Sequence, residues 1–227
     1  MDKINLLSDD LLLQILSLVP TKDVIMAASC VSKRWWSLCS LVTRLEYDDS
    51  NYYNSDSADY KSFTQFVYRT LMSNKAPALE KLHLNLGPKC HAVDVGIWID
   101  IAVSHRVREL KVKIRLESGS PPVSLPSSLF TCETLENLTL IHCLVSDVPC
   151  CLPFLKSLRL EYVSNASLPK LLQGSPNLQS LRMLVENKEH GEEDITIALP
   201  RLQYLYFWDA REKMKSGVYV IEAPRLE

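Results

Sequence analysis

The sequence predicts an α/β protein, a small three-helix head followed by an irregular repeat solenoid with a curved parallel sheet. Three observations carry that expectation. Six stretches between residues 79 and 207 share one template, apolar-x-x-apolar-x-apolar. The first 46 residues hold three helix-length apolar runs separated by stop signals. Between the two lies Asp48–Asp59, DDSNYYNSDSAD, which is polar, acidic and without periodicity. The expected domains are therefore 1–46, a linker at 47–59 and a repeat array at 60–227.

In the head, Ser8 is placed to cap a first helix, with Asp9 and Asp10 in its positive first turn. That helix is expected to run to Val19, where Pro20 forbids continuation. Thr21 is expected to cap a second helix through Ala28, and Ser32 a third that includes Trp35, Trp36 and Leu38. Leu12, Ile15, Leu16 and Val19 form one stripe at helical spacing. Leu11, Leu13 and Leu18 widen it beyond what so small a core needs, and a domain of this size lies near the limit for independent folding. The surplus apolar surface predicts a partner protein.

The repeated stretches are LEKLHL (Leu79–Leu84), VRELKV (Val107–Val112), LENLTL (Leu135–Leu140), LKSLRL (Leu155–Leu160), LQSLRM (Leu178–Met183) and LQYLYF (Leu202–Phe207). Their starts step by 28, 28, 20, 23 and 24 residues, and Pro77, Pro153, Pro176 and Pro200 each stand two residues ahead of one. Each unit supplies one short strand, the strands stack in parallel, and their apolar positions merge into a single core. Return segments such as Leu125–Phe130 and Leu168–Leu172 back the sheet as short helices or irregular turns. A helix over Tyr60–Ser73, with Phe63, Phe66, Val67 and Leu71 on one face, covers the first repeat. Trp98, inside VGIWIDIAV, reads as buried return-segment structure.

Strand alternation puts two columns on the exposed, concave face. One is His83, Lys111, Thr139, Arg159, Arg182 and Tyr206; the other is Asn85, Lys113, Ile141, Glu161, Leu184 and Trp208. Arg159, Arg182, Tyr206 and Trp208 are the candidate target-binding residues, while Tyr204 and Phe207 are open to either that cluster or the core. The chain closes on Ala223–Glu227, read as a seventh unit that stops before its strand. The strand Leu202–Trp208 is then expected to lack a neighbour, apart from a cover supplied by Val218–Ile221.

A hydrophobic content of 47% with 23% charged residues is that of a globular chain. A net charge of −2 gives no reason to expect nucleic acid or an anionic membrane as partner. No apolar run approaches the roughly 20 residues that span a bilayer, and the N-terminus lacks the layout of a secretory signal, so an intracellular location is expected. The seven cysteines, an odd count without a CxxC pair, argue against both a disulfide framework and a zinc site. His142 and Cys143 point to opposite faces of an extended strand, and buried reduced thiols are expected. Asn137-Leu138-Thr139 and Asn165-Ala166-Ser167 match the glycosylation pattern by coincidence in a chain without a signal. No phosphate loop, paired-carboxylate motif or metal-ligand spacing stands anywhere, so neither catalysis nor a cofactor is expected.

Three elements in order, LSDDLLLQIL (Leu7–Leu16), PTKD (Pro20–Asp23) and VSKRW (Val31–Trp35), resemble an F-box of the form common in plants. A period of 20–29 with L-x-x-L-x-L resembles the leucine-rich repeat. Together they resemble plant F-box/leucine-rich-repeat proteins, many of which add an FBD-type domain that is not visible here. The resemblance implies that the head docks a Skp-family adaptor, and through it the cullin of a ubiquitin ligase. The residues implied are Leu7, Ser8, Leu11, Leu12, Ile15, Leu16, Pro20, Lys22, Asp23, Val31, Ser32, Arg34 and Trp35. The repeats would hold an unknown target protein, a positional role without covalent chemistry on this chain. Two departures stand out: Ser8 where the family usually has proline, and Cys39 where plant members often have tryptophan. The alternatives are a repeat interaction module with a decayed F-box, or a truncated receptor.

Overall fold

The computed structural model describes residues 6–24, 33–52, 57–116, 122–145, 149–163, 168–185, 195–209 and 219–226. Its strands are β1 (Arg44–Asp48), β2 (Lys81–Leu86), β3 (Glu109–Ile114), β4 (Val123–Ser124), β5 (Asn137–Ile141), β6 (Cys143–Leu144), β7 (Ser157–Glu161), β8 (Ser180–Val185), β9 (Ile195–Ala198), β10 (Tyr204–Asp209) and β11 (Tyr219–Glu222). Seven of them form one parallel sheet in the order β1-β2-β3-β5-β7-β8-β10, so each strand lies beside the one before it in the repeat series.

Register follows from the leucines. Leu45, Leu82, Leu110, Leu138, Leu158, Leu181 and Leu205 stand opposite one another across the sheet, and Tyr47, Leu84, Val112, Leu140, Leu160, Met183 and Phe207 form the next inward column. The first apolar position of every unit, from Leu79 to Leu202, is fully buried. Entry to β2, β5, β7, β8 and β10 is secured by a fork. The carbonyls of Thr43, Arg108, Glu136, Lys156 and Gln179 each accept two N–H groups of the following strand at 2.8–3.1 Å.

Thr43 belongs to that series, and with it a strand that sequence reading passed over. Val42, Leu45 and Tyr47 carry the same apolar template and are all buried. The strand β1 straddles the expected boundary at residue 46, taking its start from the head and its end from the expected linker. Its 37-residue step to Leu79 hid it, because an inserted helix, Ser57–Ser73, lengthens the return.

The head differs from expectation in detail. Helix α1 (Asp9–Leu16) starts where predicted, Ser8 accepting the Leu11 N–H at 3.4 Å, but ends three residues before Val19. There Leu18 and Val19 donate to the carbonyls of Ile15 and Leu16 in a tighter turn. Residues 21–24 are helical, and Asp23 and Val24 donate to the carbonyl of Pro20. Thr21 is therefore not the cap that was expected. It lies buried within that turn, and its hydroxyl accepts the backbone N–H of Glu46 at 2.7 Å, fastening the head to β1. The remainder of the second helix, with Val31 and the Ser32 cap, lies outside the described residues. Helix α2 (Lys33–Cys39) follows. Leu12, Leu16, Val24, Trp35, Leu38 and Val42 join the same continuous core as the repeats.

Helix α3 (Ser57–Ser73) covers the first repeat as predicted, its Phe63 meeting Trp98 edge-to-face at 6.4 Å. Trp98, on helix α4 (Ala92–Ser104), is fully buried. Farther along, the return narrows to a 3-10 turn at Ser127–Thr131 and then to helix α5 (Leu168–Gln173). Gly174 closes α5 against the neighbouring return: a Cβ there would lie 2.7 Å from the backbone carbonyl carbon of Cys150. Two small parallel pairs, β4 with β6 and β9 with β11, link successive returns. This corrects the expectation for Val218–Ile221, because Tyr219–Glu222 pairs with Ile195–Ala198 and not with β10. Among the described residues β10 pairs with β8 alone, and its inward Leu205 and Phe207 are only half-buried, whereas Leu181 and Met183 of β8 are buried.

Where β1 ends, a buried carboxylate holds four elements together. Asp49 accepts the Gly87 N–H after β2 at 2.7 Å, the Arg115 guanidinium after β3 at 3.0 Å and the Tyr60 hydroxyl of α3 at 3.3 Å. A buried charge is tolerated when paired and hydrogen-bonded in this way.

Urea unfolding of the full chain tests these assignments. Leu138→Ala, Leu158→Ala and Leu181→Ala are each expected to cost about 2–5 kcal/mol, and Asp49→Ala about 3 kcal/mol through the donors it strands. Arg159→Ala and Tyr206→Ala are expected to stay within about 1 kcal/mol. Equal losses in the two sets would contradict the register.

Candidate functional site

The head presents an apolar face that its own core does not use. Leu11 is 47% exposed and Leu18 79%, with Leu6, Ile15 and Val19 exposed beside them. Leu12 and Leu16, one residue farther along in each case, are buried, as is Trp35. The expectation that these three face a partner is corrected. Helical rotation turns them into the core, where they support the outer face rather than form it. Leu7 is half-buried, while Ser8, Pro20, Lys22 and Asp23 are exposed. Arg34 clamps the start of α2 to the start of α1, donating to Asp9 at 2.6 and 2.9 Å and to the Leu7 carbonyl at 2.7 Å. The Lys22 ammonium sits 5.5 Å from the Tyr52 ring centroid. Trp36, which the sequence reading did not assign to a site, is 57% exposed. It borders a cleft of about 980 Å³ between α2 and α3 that Phe66 and Met72 also line.

The second surface is the outward face of the sheet. Both expected columns occur in register, from His83 to Tyr206 and from Asn85 to Trp208, and Glu46 and Asp48 of β1 extend them. Ile141 departs from expectation, being buried on this face. Tyr204 is settled as exposed, beside Tyr206 and Trp208.

Charge is distributed unevenly across this face. On β1 and β2 the cations are matched, Arg44 with Glu80 at 2.9 Å and Lys81 with Glu46 at 2.6 Å, and the His83 ring is hydrogen-bonded to Glu109 of β3 at 2.6 Å. The Lys81 hydrogen bond holds the Glu46 carboxyl below its usual range. Burial pushes the Asp48 carboxyl up, but bonds from Ser50 and Asn85 and the charge of Arg115 outweigh it and hold that carboxyl low. Burial lowers the His83 imidazole despite Glu109, favouring the neutral ring. On β7–β8 a single oxygen of Glu161 receives Arg159 at 2.6 and 2.7 Å and Arg182 at 3.5 Å. The Arg182 guanidinium also lies 4.5 Å from the Tyr206 ring centroid.

Among the described cysteines, Cys90, Cys132 and Cys143 are buried. Burial pushes both Cys90 and Cys143 up to about 12 and Cys150 up to about 11, so at neutral pH they are neutral thiols and poor nucleophiles. Among the described residues no helix is long and apolar enough to cross a membrane.

Two family models match the chain, one over the head and one over the later repeats. The F-box domain model matches residues 4–46, and a model for the LRR repeats of FBD-associated F-box protein At5g56370 matches residues 95–227. The chain is 51% identical over 233 residues to the F-box/FBD/LRR-repeat protein At4g26340 of Arabidopsis thaliana, which covers all of this chain and 54% of that protein. It is 43% identical over 232 residues to the F-box/LRR-repeat protein At3g26922 of the same plant, covering all of this chain and 73% of that protein. This chain belongs to the plant F-box/LRR-repeat family. It spans about half the length of most of the curated relatives it matches.

Brief iodoacetamide treatment at neutral pH, followed by peptide mapping, is expected to leave Cys90 and Cys143 unmodified in the native protein and to modify both in urea. The exposed Cys151 is expected to react in either state. Native labelling of Cys143 would contradict its placement in the core.

Proposed function

We propose that this chain is a substrate-receptor subunit of a Skp–cullin–F-box ubiquitin ligase. F-box/LRR proteins generally serve as such receptors, and the reading extends that role to this chain. The observation that carries it is the face of Leu11, Ile15, Leu18 and Val19, apolar and exposed beside a head core that is already filled. The head would be a three-helix F-box docking a Skp-family adaptor, and the repeats a curved solenoid whose outward strand face holds a target. The role is positional, inside the cell, with no covalent chemistry on this chain and neither nucleic acid nor membrane as partner. Holding a target beside the transfer machinery raises its effective concentration.

Within the expected adaptor set, Leu11 and Ile15 form the contact, Leu7, Ser8, Pro20, Lys22, Asp23 and Arg34 border it, and Leu12, Leu16 and Trp35 brace it from beneath. The departure at Ser8 is mild, because its backbone φ of −66° is one that proline adopts.

Co-expression of the full chain with a Skp-family adaptor tests the reading. The two are expected to co-purify, and Ile15→Asp is expected to weaken the complex at least tenfold while leaving the melting temperature nearly unchanged. Leu12→Ala is expected to lower the melting temperature instead. Ser8→Pro exchanges a long, exposed cap bond for a pre-set turn and is expected to leave stability within about 1 kcal/mol. A folded full chain that shows no adaptor binding at micromolar concentration would leave the repeat-module alternative standing.

A further inference from the structure

The outward sheet face changes character at β3. Before it, the cations of β1 and β2 are matched by acids across the strands. From β3 onward, Lys111 and Lys113 make no ion pair within 4 Å among the described residues, Lys111 acting on Glu46 only through its longer-range charge, and Glu161 is shared by Arg159 and Arg182. On β3, β7 and β8 that leaves four cations against two outward carboxylates, Glu109 and Glu161, in a chain whose net charge is −2. The imbalance is local, not a reflection of composition.

The two guanidiniums are held in place yet remain available. The Glu161 side chain is mostly buried, whereas those of Arg159 and Arg182 are 43% and 44% exposed. Fixing arginine side chains in advance removes an ordering cost that an incoming anion would otherwise meet. Beside Arg182 the face turns aromatic, with Tyr206 stacked on its guanidinium and Trp208 exposed at the next outward position of β10. Strands lie about 4.8 Å apart, so the path from Lys111 on β3 to Tyr206 on β10 covers roughly 19 Å, the reach of about six extended residues.

We propose that this face captures an extended protein segment whose acidic groups seat on Lys111, Arg159 and Arg182 and whose following apolar residue packs on Tyr206 and Trp208. The inference rests on the target-capture reading above and names its chemistry. The acidic group is either a carboxylate or a phosphorylated hydroxyl, since both accept paired hydrogen bonds from arginine.

The full chain, bound to its adaptor if that complex forms, is tested by fluorescence anisotropy with four labelled probes. These are a glutamate-run peptide ending in Trp-Leu, the same peptide with phosphoserine for glutamate, a lysine-run control, and a single-stranded oligonucleotide. Either acidic peptide is expected to bind at least tenfold more tightly than the control, and the tighter of the two identifies the source of the charge. Arg159→Gln with Arg182→Gln is expected to reduce that binding about tenfold or more, whereas Arg44→Gln, on the matched part of the face, leaves it unchanged. Equal loss in both variants, or tighter binding of the oligonucleotide, overturns the proposal. Panning a random peptide library on the same sample separates the two readings. Enrichment of sequences without acids overturns the acidic chemistry and keeps target capture, while no enrichment at all counts against both.

Discussion

Parallel, in-register pairing of the repeat strands is the constraint from which the rest of this molecule follows. A parallel strand cannot be joined to its neighbour by a tight turn; it needs a crossover of a dozen or more residues. Every repeat must therefore carry a return segment, and the returns supply α3, α4, the Ser127–Thr131 turn and α5 as the backing layer. Register is equally demanding, because a slip of one residue exchanges the two faces. Such a slip would put Leu138 and Leu140 in solvent and Thr139 in the core. The columns that hold the fold together are thus the same ones that align the outward side chains.

The energetic division between the two faces is sharp. Exposed ion pairs such as Arg44 with Glu80 contribute at most about 1 kcal/mol. Each buried leucine is worth several times that. Outward charges are therefore nearly free of structural duty and open to selection for recognition. Asp49 is the exception: its carboxylate is buried, and three donors from three different elements offset the desolvation it suffers. Because those donors follow β2 and β3 and sit on α3, the exits of the first strands are fixed relative to one another.

What the sequence disclosed follows the range of its signals. The six later strands were legible because alternation and a recurring period are local, and the outward columns were legible for the same reason. Strand β1 carried the template in Val42, Leu45 and Tyr47 but lay inside a segment already assigned to helices and linker. In α1 the spacing revealed a broad apolar belt without showing which part met the head's own core, so Leu12 and Leu16 were grouped with Leu11 and Ile15. Thr21 resembled a cap because threonine often is one, yet its partner, Glu46, lies 25 residues away. The Asp49–Arg115 pair spans 66 residues. No local pattern signals contacts of that length.

The strand shared between head and repeats bears on how members of such a family can diverge. A gene exchange that swapped heads at the edge of the F-box match, residue 46, would cut β1 in its middle. Arg44–Glu46 would travel with the incoming head, while Tyr47 and Asp48 stayed with the repeats. Breakpoints within the later returns disturb only one interface between adjacent units. Exchange of outward side chains therefore disturbs the fewest contacts toward the C-terminal repeats, and the most where the head and the repeats share β1.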